Sequence, residues 1–246
     1  MYATQSRDEI ILYGVNVIDV LLTHAPHRLH RILYSGALKG ARGAVIHKAR
    51  ALNIEVESAR ERQIEHYLPE AQHQGVMAFV KPKPLVEWSS LCTPASLHTL
   101  VALDQVTDPR NFGAILRSAE SLGVKGVLIT SNRCARPGPL VAKTSAGASE
   151  LIPIAMETNL SQSLEHAQER GYQIVGADRE GSVLQEIDWS RPSVIVIGAE
   201  GKGMREKTRL RCDVIASIPH YGQTESLNAS VAAGIIFYES GRKSMI

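Results

Sequence analysis

Cysteine is scarce in this chain. Cys92, Cys134 and Cys212 are scattered with no Cys-x-x-Cys pair, which excludes a disulfide framework and a thiolate zinc cluster. No apolar run approaches the roughly 18 residues a membrane span requires. The first ten residues lack the apolar core of a signal peptide, so the expected location is cytoplasmic, with no membrane partner. Nucleotide loops of the familiar kinds are missing too. A Walker loop needs Gly-x4-Gly-Lys-Ser/Thr, but here Gly203 follows Lys202, and Gly198 lies only three positions before Gly201. A dinucleotide fingerprint fails because Glu206 stands where the third glycine of Gly201-x-Gly203 would fall. His24, His27 and His30 recur at three-residue spacing, yet Pro26 interrupts them and no acidic cluster supports them, so no metal is expected.

Charge of one sign is also modest. A net +2 does not by itself argue for nucleic acid. Its distribution is uneven: residues 1–83 hold 11 Lys+Arg against 8 Asp+Glu, and six of the nine histidines. That asymmetry fits an RNA-facing part, and a solvated surface as well. With 44% hydrophobic and 21% charged residues, the 246-residue chain reads as globular, with room for one large or two small domains.

Periodicity divides the chain. Residues 1–80 read as a small α/β unit: a helix opening after Gly14, strands near 31–34, 54–57 and 76–80, and helices near 44–52 and 63–68. Lys81-Pro-Lys-Pro84 breaks regular structure, which places a linker at 81–98. From Leu100 onward strands and helices alternate to the end. The strands fall near 100–103, 126–130, 151–155, 173–177, 193–197 and 214–218, which argues for a mostly parallel sheet flanked by helices over residues 99–246.

Three segments at the ends of those strands carry glycine, asparagine and charge. They are Asp104-Gln-Val-Thr-Asp-Pro-Arg-Asn-Phe-Gly-Ala-Ile-Leu-Arg117, Gly198-Ala-Glu-Gly-Lys-Gly-Met204 and Ile218-Pro-His-Tyr-Gly-Gln-Thr-Glu-Ser-Leu-Asn228. Loops beyond strand C-termini converge on one crevice in an open α/β sheet, so the three predict one composite site. Each also has a purely structural reading. Asn111 suits a helix N-cap, Ser226 and Asn228 suit capping and turns, and Arg117 suits an exposed pair with Glu120. Gly234, inside the last helix, implies close packing within the subunit or across a dimer. Arg205, Lys207, Arg209 and Arg211 form either a basic RNA-facing patch or an ordinary solvated helix.

Taken together and in order, the segments resemble the motifs of the SpoU family of RNA ribose 2′-O-methyltransferases, in the SPOUT superfamily. Asp-Pro-x-Asn-x-Gly-x-x-x-Arg matches Asp108 to Arg117, and Gly-x-Glu-x-x-Gly matches Gly198, Glu200 and Gly203. Ser-Leu-Asn-x-Ser-x-Ala matches Ser226, Leu227, Asn228, Ser230 and Ala232; Ser145-Ala-Gly-Ala148 is similar to the family as well. The chain departs from the commonest pattern at Thr224 and Ala229, where valine is usual, and at His220-Tyr221, where apolar residues are usual. The first 80 residues, with Tyr13-Gly14 entering the first helix, are similar to the small RNA-binding domain of one branch of the family.

The resemblance implies a trefoil knot in the catalytic region, S-adenosylmethionine as cofactor, and a homodimer. It places Gly198, Ile218 and Leu227 on the cofactor and Asn111, Arg117, Glu200, Ser226 and Asn228 around the ribose. The implied substrate is a guanosine of large-subunit (23S) ribosomal RNA. The alternatives are the same chemistry on a transfer RNA D-loop ribose, or a non-catalytic RNA-binding ribosome-assembly factor.

Overall fold

The computed structural model describes residues 9–93, 98–224 and 226–244. Residues 1–8, 94–97, 225 and 245–246 lie outside the described residues. On them fall both ends of the expected domains, part of the expected linker and one position of the third segment. The described chain divides into two compact units, residues 1–84 with 137–151, and residues 85–136 with 152–246.

The first unit runs β1 (Ile10–Tyr13), α1 (Val15–His24), β2 (Leu29–Tyr34), α2 (Gly40–Ala51), β3 (Glu55–Ser58), α3 (Glu61–Tyr67) and β4 (Val76–Val80). The sheet order is β1-β4-β2-β3, with β4 antiparallel to both neighbours and β3 parallel to β2. β4 is buried along its whole length, and its period-2 alternation serves two cores. Val76, Ala78 and Val80 meet Ile18, Leu21 and Ile46 from α1 and α2, while Met77 and Phe79 meet Ile64 of α3.

In the second unit, α4 (Trp88–Leu91) precedes β5 (Thr99–Asp104), α5 (Pro109–Ser121) and β6 (Gly126–Thr130). The chain then returns to the first unit as α6 (Pro139–Thr144) and α7 (Ala148–Leu151), where Ala142 enters the core and Arg28 pairs with Glu150 at 2.8 Å. The second unit resumes with β7 (Ile154–Glu157), α8 (Leu160–Glu169), β8 (Gln173–Val183), β9 (Ser193–Gly198), α9 (Glu206–Arg209), β10 (Val214–Ser217) and α10 (Ala229–Ser244). Its six strands lie in the order β10-β8-β9-β5-β6-β7, and every pairing is parallel. Leu100, Ala102, Leu128, Val194 and Val196 pack with α4 and α8. The intervening Val101, Leu103, Ile195 and Ile197 are buried too, and α10 contacts α5, β5 and β9. Burial on both faces explains why these strands are almost continuously apolar.

Two stretches sit differently from the expectation. Residues 85–93 are not free linker, because Trp88 and Cys92 are core of the second unit and the Trp88 indole donates to Ser163 O at 2.8 Å. Val86 N donates to Ile154 O at 3.0 Å in the same unit. Residues 137–151, expected in the catalytic region, belong with the first unit instead; Gly147 leaves no room for a Cβ, which would stand 2.9 Å from Val20.

Candidate active site

In a parallel sheet all strand C-termini share one edge, and the loops that leave that edge build the site. β5 ends at Asp104, a carboxylate with no solvent exposure. It accepts from Arg205 N at 2.9 Å and from Arg205 Nε at 2.7 Å, which pins the loop after β9 to the end of β5. That loop folds on itself, because Ala199 and Gly203 exchange two backbone hydrogen bonds at 3.0 and 2.9 Å. Gly201 and Gly203 supply the left-handed conformations the turn requires, with φ of 76° and 66°. At Gly198 the constraint is space. A Cβ there would lie 2.3 Å from Gly203 C and 2.4 Å from Met204 N.

The turn carries Glu200 to Asn111 and Asn228. Asn111 Nδ2 donates to Glu200 Oε2 at 2.9 Å, and Asn228 Nδ2 donates to Asn111 Oδ1 at 3.0 Å and to Glu200 Oε1 at 3.3 Å. One member from each of the three segments therefore enters a single hydrogen-bonded network. Asn111 does not cap its helix. Asp108 does so by accepting from Arg110 N at 2.8 Å, with Pro109 at the first helical position, and this frees the Asn111 amide. Asn228 does both jobs. Its Oδ1 accepts from Ser230 N at 2.9 Å at the start of α10, while its Nδ2 faces the network.

Two cavities flank Glu200. One, of about 330 Å³, opens beyond β8, β9 and β10. Its apolar wall includes Ile197, Ala216, Ile218, Leu227 and Ile236; Gly198 and Ser226 also line it. Ala177, Asp178, Arg179 and Glu180 close another side, residues that sequence reasoning missed because β8 was expected to end at 177. β10 pairs with Val175 and Gly176, then skips to Ser182 and Val183, so the intervening residues leave the ladder. The available hint was Asp178-Arg-Glu-Gly181 directly after an apolar strand. The other cavity, of about 570 Å³, is lined by Asp108, Asn111, Arg133, Glu200 and Lys202, among others.

Of the residues singled out from sequence, Asn111, Glu200 and Asn228 meet. Gly198, Ile218, Leu227 and Ser226 line the smaller cavity, although no described hydrogen bond joins the Ser226 hydroxyl to the network. Arg117 lines neither cavity. It is exposed on α5, six residues beyond Asn111, so about 9 Å along the helix and on a different face. Its expected partner Glu120 forms no described pair with it. The basic run beyond the turn is mostly committed internally: Arg205 to Asp104, Arg209 to Asp178, and Arg211 to Glu165 at 3.1 Å. His30 contacts Glu9. Among the described residues, Glu61, Glu65 and His73 bring ligand atoms within 4.8 Å of one another, all in the first unit.

The chain was compared with known proteins. The SpoU rRNA Methylase family matches residues 98–238, and the RNA 2′-O ribose methyltransferase substrate binding family matches residues 11–86. A 23S rRNA (guanosine-2′-O-)-methyltransferase RlmB of Shewanella oneidensis is 34% identical over 242 residues, covering 96% of this chain and 98% of that one. Its counterpart in Pseudomonas aeruginosa is 37% identical over 236 residues, covering 93% and 94%. Among solved structures, the SpoU methyltransferase AviRb from Streptomyces viridochromogenes, in complex with the cofactor AdoMet, superposes with a TM-score of 0.79. The two are 25% identical, with 97% of this chain and 91% of that chain covered.

Proposed function

This chain belongs to the SpoU rRNA Methylase family, and from that premise we propose that it transfers a methyl group from S-adenosylmethionine to the ribose 2′-hydroxyl of a guanosine in 23S ribosomal RNA. The observation that carries the reading is the network of Asn111, Glu200 and Asn228 standing between two cavities.

The smaller cavity suits the cofactor. Apolar Ile197, Ile218 and Leu227 fit an adenine face, and Glu180 and Glu200 suit a ligand bearing sulfonium and ammonium charge. When bound, S-adenosylmethionine supplies a methyl group already activated by its positive sulfur. The chain's part is to align the attacking hydroxyl and exclude water.

Donor and acceptor capacity assigns the roles. Both Asn228 N–H groups are spent, on Asn111 and Glu200, so Asn228 positions its neighbours. Asn111 keeps one N–H free, and each Glu200 oxygen keeps a lone pair. A 2′-hydroxyl arriving from the larger cavity is oriented by accepting from Asn111 and donating to Glu200. Ser226, on the cofactor side, helps to hold the donor. Arg117 presents a planar fork of donors and serves as a clamp on the phosphate beside the target ribose.

The active form in this reading is a homodimer. Val231, Ile235 and Tyr238 are 51%, 39% and 60% exposed and recur at helical spacing along α10, an apolar stripe that a second copy would cover. A Cβ on Gly234 would stand 3.5 Å from Ser118 Oγ, so packing against α5 alone does not require glycine there. In this reading Arg117, exposed on α5 beside α10, is offered to the site of the other copy. A trefoil knot completes the reading.

The test uses the full chain. Calorimetry should detect uptake of S-adenosylmethionine, and labelled methyl should appear on a guanosine 2′-oxygen of 23S ribosomal RNA in preference to transfer RNA. No cofactor uptake, or no methyl in either RNA, overturns the proposal; methyl on transfer RNA alone overturns the substrate.

A further inference from the structure

The loop after β6 is tightly held yet presents a cation with nothing to bind. Thr130 Oγ1 donates to Asn132 O at 2.7 Å, Ala135 N donates to Val106 O at 2.8 Å, and Arg136 Nη2 donates to Ser131 O at 3.1 Å. In the middle of these ties stands Arg133, with φ of 60°. Few residues other than glycine, asparagine and aspartate adopt that conformation, and strain held in place by its surroundings tends to mark a functional position. Among the described residues, the Arg133 guanidinium forms no hydrogen bond or ion pair.

Arg133 borders the larger cavity described above and also a further one of about 460 Å³, lined by Thr130, Asn132, Thr158 and Arg205. The side chains around this further cavity are two guanidinium groups, two hydroxyls and one amide, with no carboxylate. The cofactor cavity is the opposite, bordered by Asp178, Glu180 and Glu200. Arg205 spends its backbone N–H and its Nε on Asp104, and its Nη groups have no hydrogen-bond partner among the described residues. Thr130 has already given its proton to Asn132 O and Asp104 offsets part of the Arg205 charge, so Arg133 and the Nη groups of Arg205 are the donors that select an anion. It lies past the ends of β5, β6 and β7, whereas the cofactor cavity lies past β8, β9 and β10, so the ribose position falls between them along one sheet edge.

The geometry points to a phosphodiester subsite at Arg133, Arg205, Thr158 and Asn132, which grips the RNA backbone next to the target nucleotide. This inference rests on the methyl-transfer reading for the identity of its ligand. It is separate from the clamp assigned to Arg117, and it sets the path of the strand: across the Asn111 cavity and on toward the ends of β6 and β7.

The experiment measures binding of the full chain to 23S ribosomal RNA from about 50 to 200 mM salt, where each lost phosphate contact lowers the log–log slope by roughly 0.7 to 0.9. Arg133→Ala and Arg133→Asn should weaken binding about tenfold and reduce the slope by that one contact, while Arg133→Lys retains the slope. Asparagine tolerates the left-handed conformation, so Arg133→Asn should melt at or above the parent temperature. All three variants should take up S-adenosylmethionine with parental affinity. An unchanged slope in Arg133→Asn overturns the inference. So does a lower melting temperature for that variant, since the arginine would then be structural. A parent chain that shows the Arg133-dependent slope but transfers no methyl would overturn the enzymatic reading and leave the subsite standing.

Discussion

Replacing Asp104 by asparagine tests the pin that holds the turn carrying Glu200. The side chain is fully buried and accepts two hydrogen bonds from Arg205, one from the backbone and one from the guanidinium. Asparagine keeps the volume but turns one acceptor into a donor, so one of the two bonds becomes a donor–donor clash. The guanidinium bond is the easier one to lose, because the Arg205 side chain is 45% exposed and water takes over as its partner. A hydrogen bond to a charged group contributes about 1.5–3 kcal/mol, and a half-exposed ion pair no more than about 1. Because these describe the same contact, the expected loss is about 1–3 kcal/mol. For a unit of this size that lowers the melting temperature by roughly 2–12 °C. Affinity for S-adenosylmethionine should fall as well, since a turn that samples other conformations binds in proportion to its competent fraction. Thermal melts with and without cofactor, together with calorimetry, measure both effects. A variant that melts within a degree of the parent refutes the pin; one that melts early yet binds cofactor normally refutes its link to the cavity.

Gly198→Ala places a methyl group 2.3 Å from the Gly203 carbonyl carbon, where backbone must move, so cofactor uptake should disappear from calorimetry while the chain stays folded by circular dichroism. Arg117→Ala and Asn228→Ala should each be inactive in methyl transfer. Refolded as a 1:1 mixture they should recover about a quarter of parental turnover, because half the dimers are mixed and each mixed dimer has one complete site. No recovery places Arg117 in the site of its own subunit. Burial pushes the Cys92 and Cys212 thiols up to about 12, so at pH 8 their thiolate populations fall about a thousandfold below that of an ordinary thiol. A thiol reagent should spare both until the chain unfolds. Both protons are held more tightly in the folded chain. The associated stability is therefore complete below about pH 9, the ordinary thiol value, and is lost as pH rises toward 12, which a series of alkaline melts would record.

Local chemistry made much of this chain legible. A continuous apolar run located the strand Val76–Val80 to the residue, because both of its faces are buried. Pro109 with Asn111 before an apolar helical pattern marked a helix start, which the structure places at Pro109. Glycine and asparagine at the ends of strands announced the turn carrying Glu200 and the start of α10, since few other residues fit those conformations. The sequence offered Asn111 as the cap, and the structure gives that role to Asp108. Either side chain can cap a helix, and only the arrival of Glu200 and Asn228 from 89 and 117 residues away gives the Asn111 amide another use.

The sequence by itself indicated most of the elements, though not β1, α4 or the full length of β8, together with the mostly parallel sheet and the residues able to build a site. Only the tertiary structure decided which of them meet. It closed Asp104 onto Arg205, moved residues 137–151 into the first unit and gave Trp88 a place in the core of the second. It also left Arg117 outside the network. The reason is one of range. Helical and strand periods are imposed by neighbours a few residues apart, whereas a buried carboxylate and its guanidinium partner 101 residues away are paired by the way the whole chain packs.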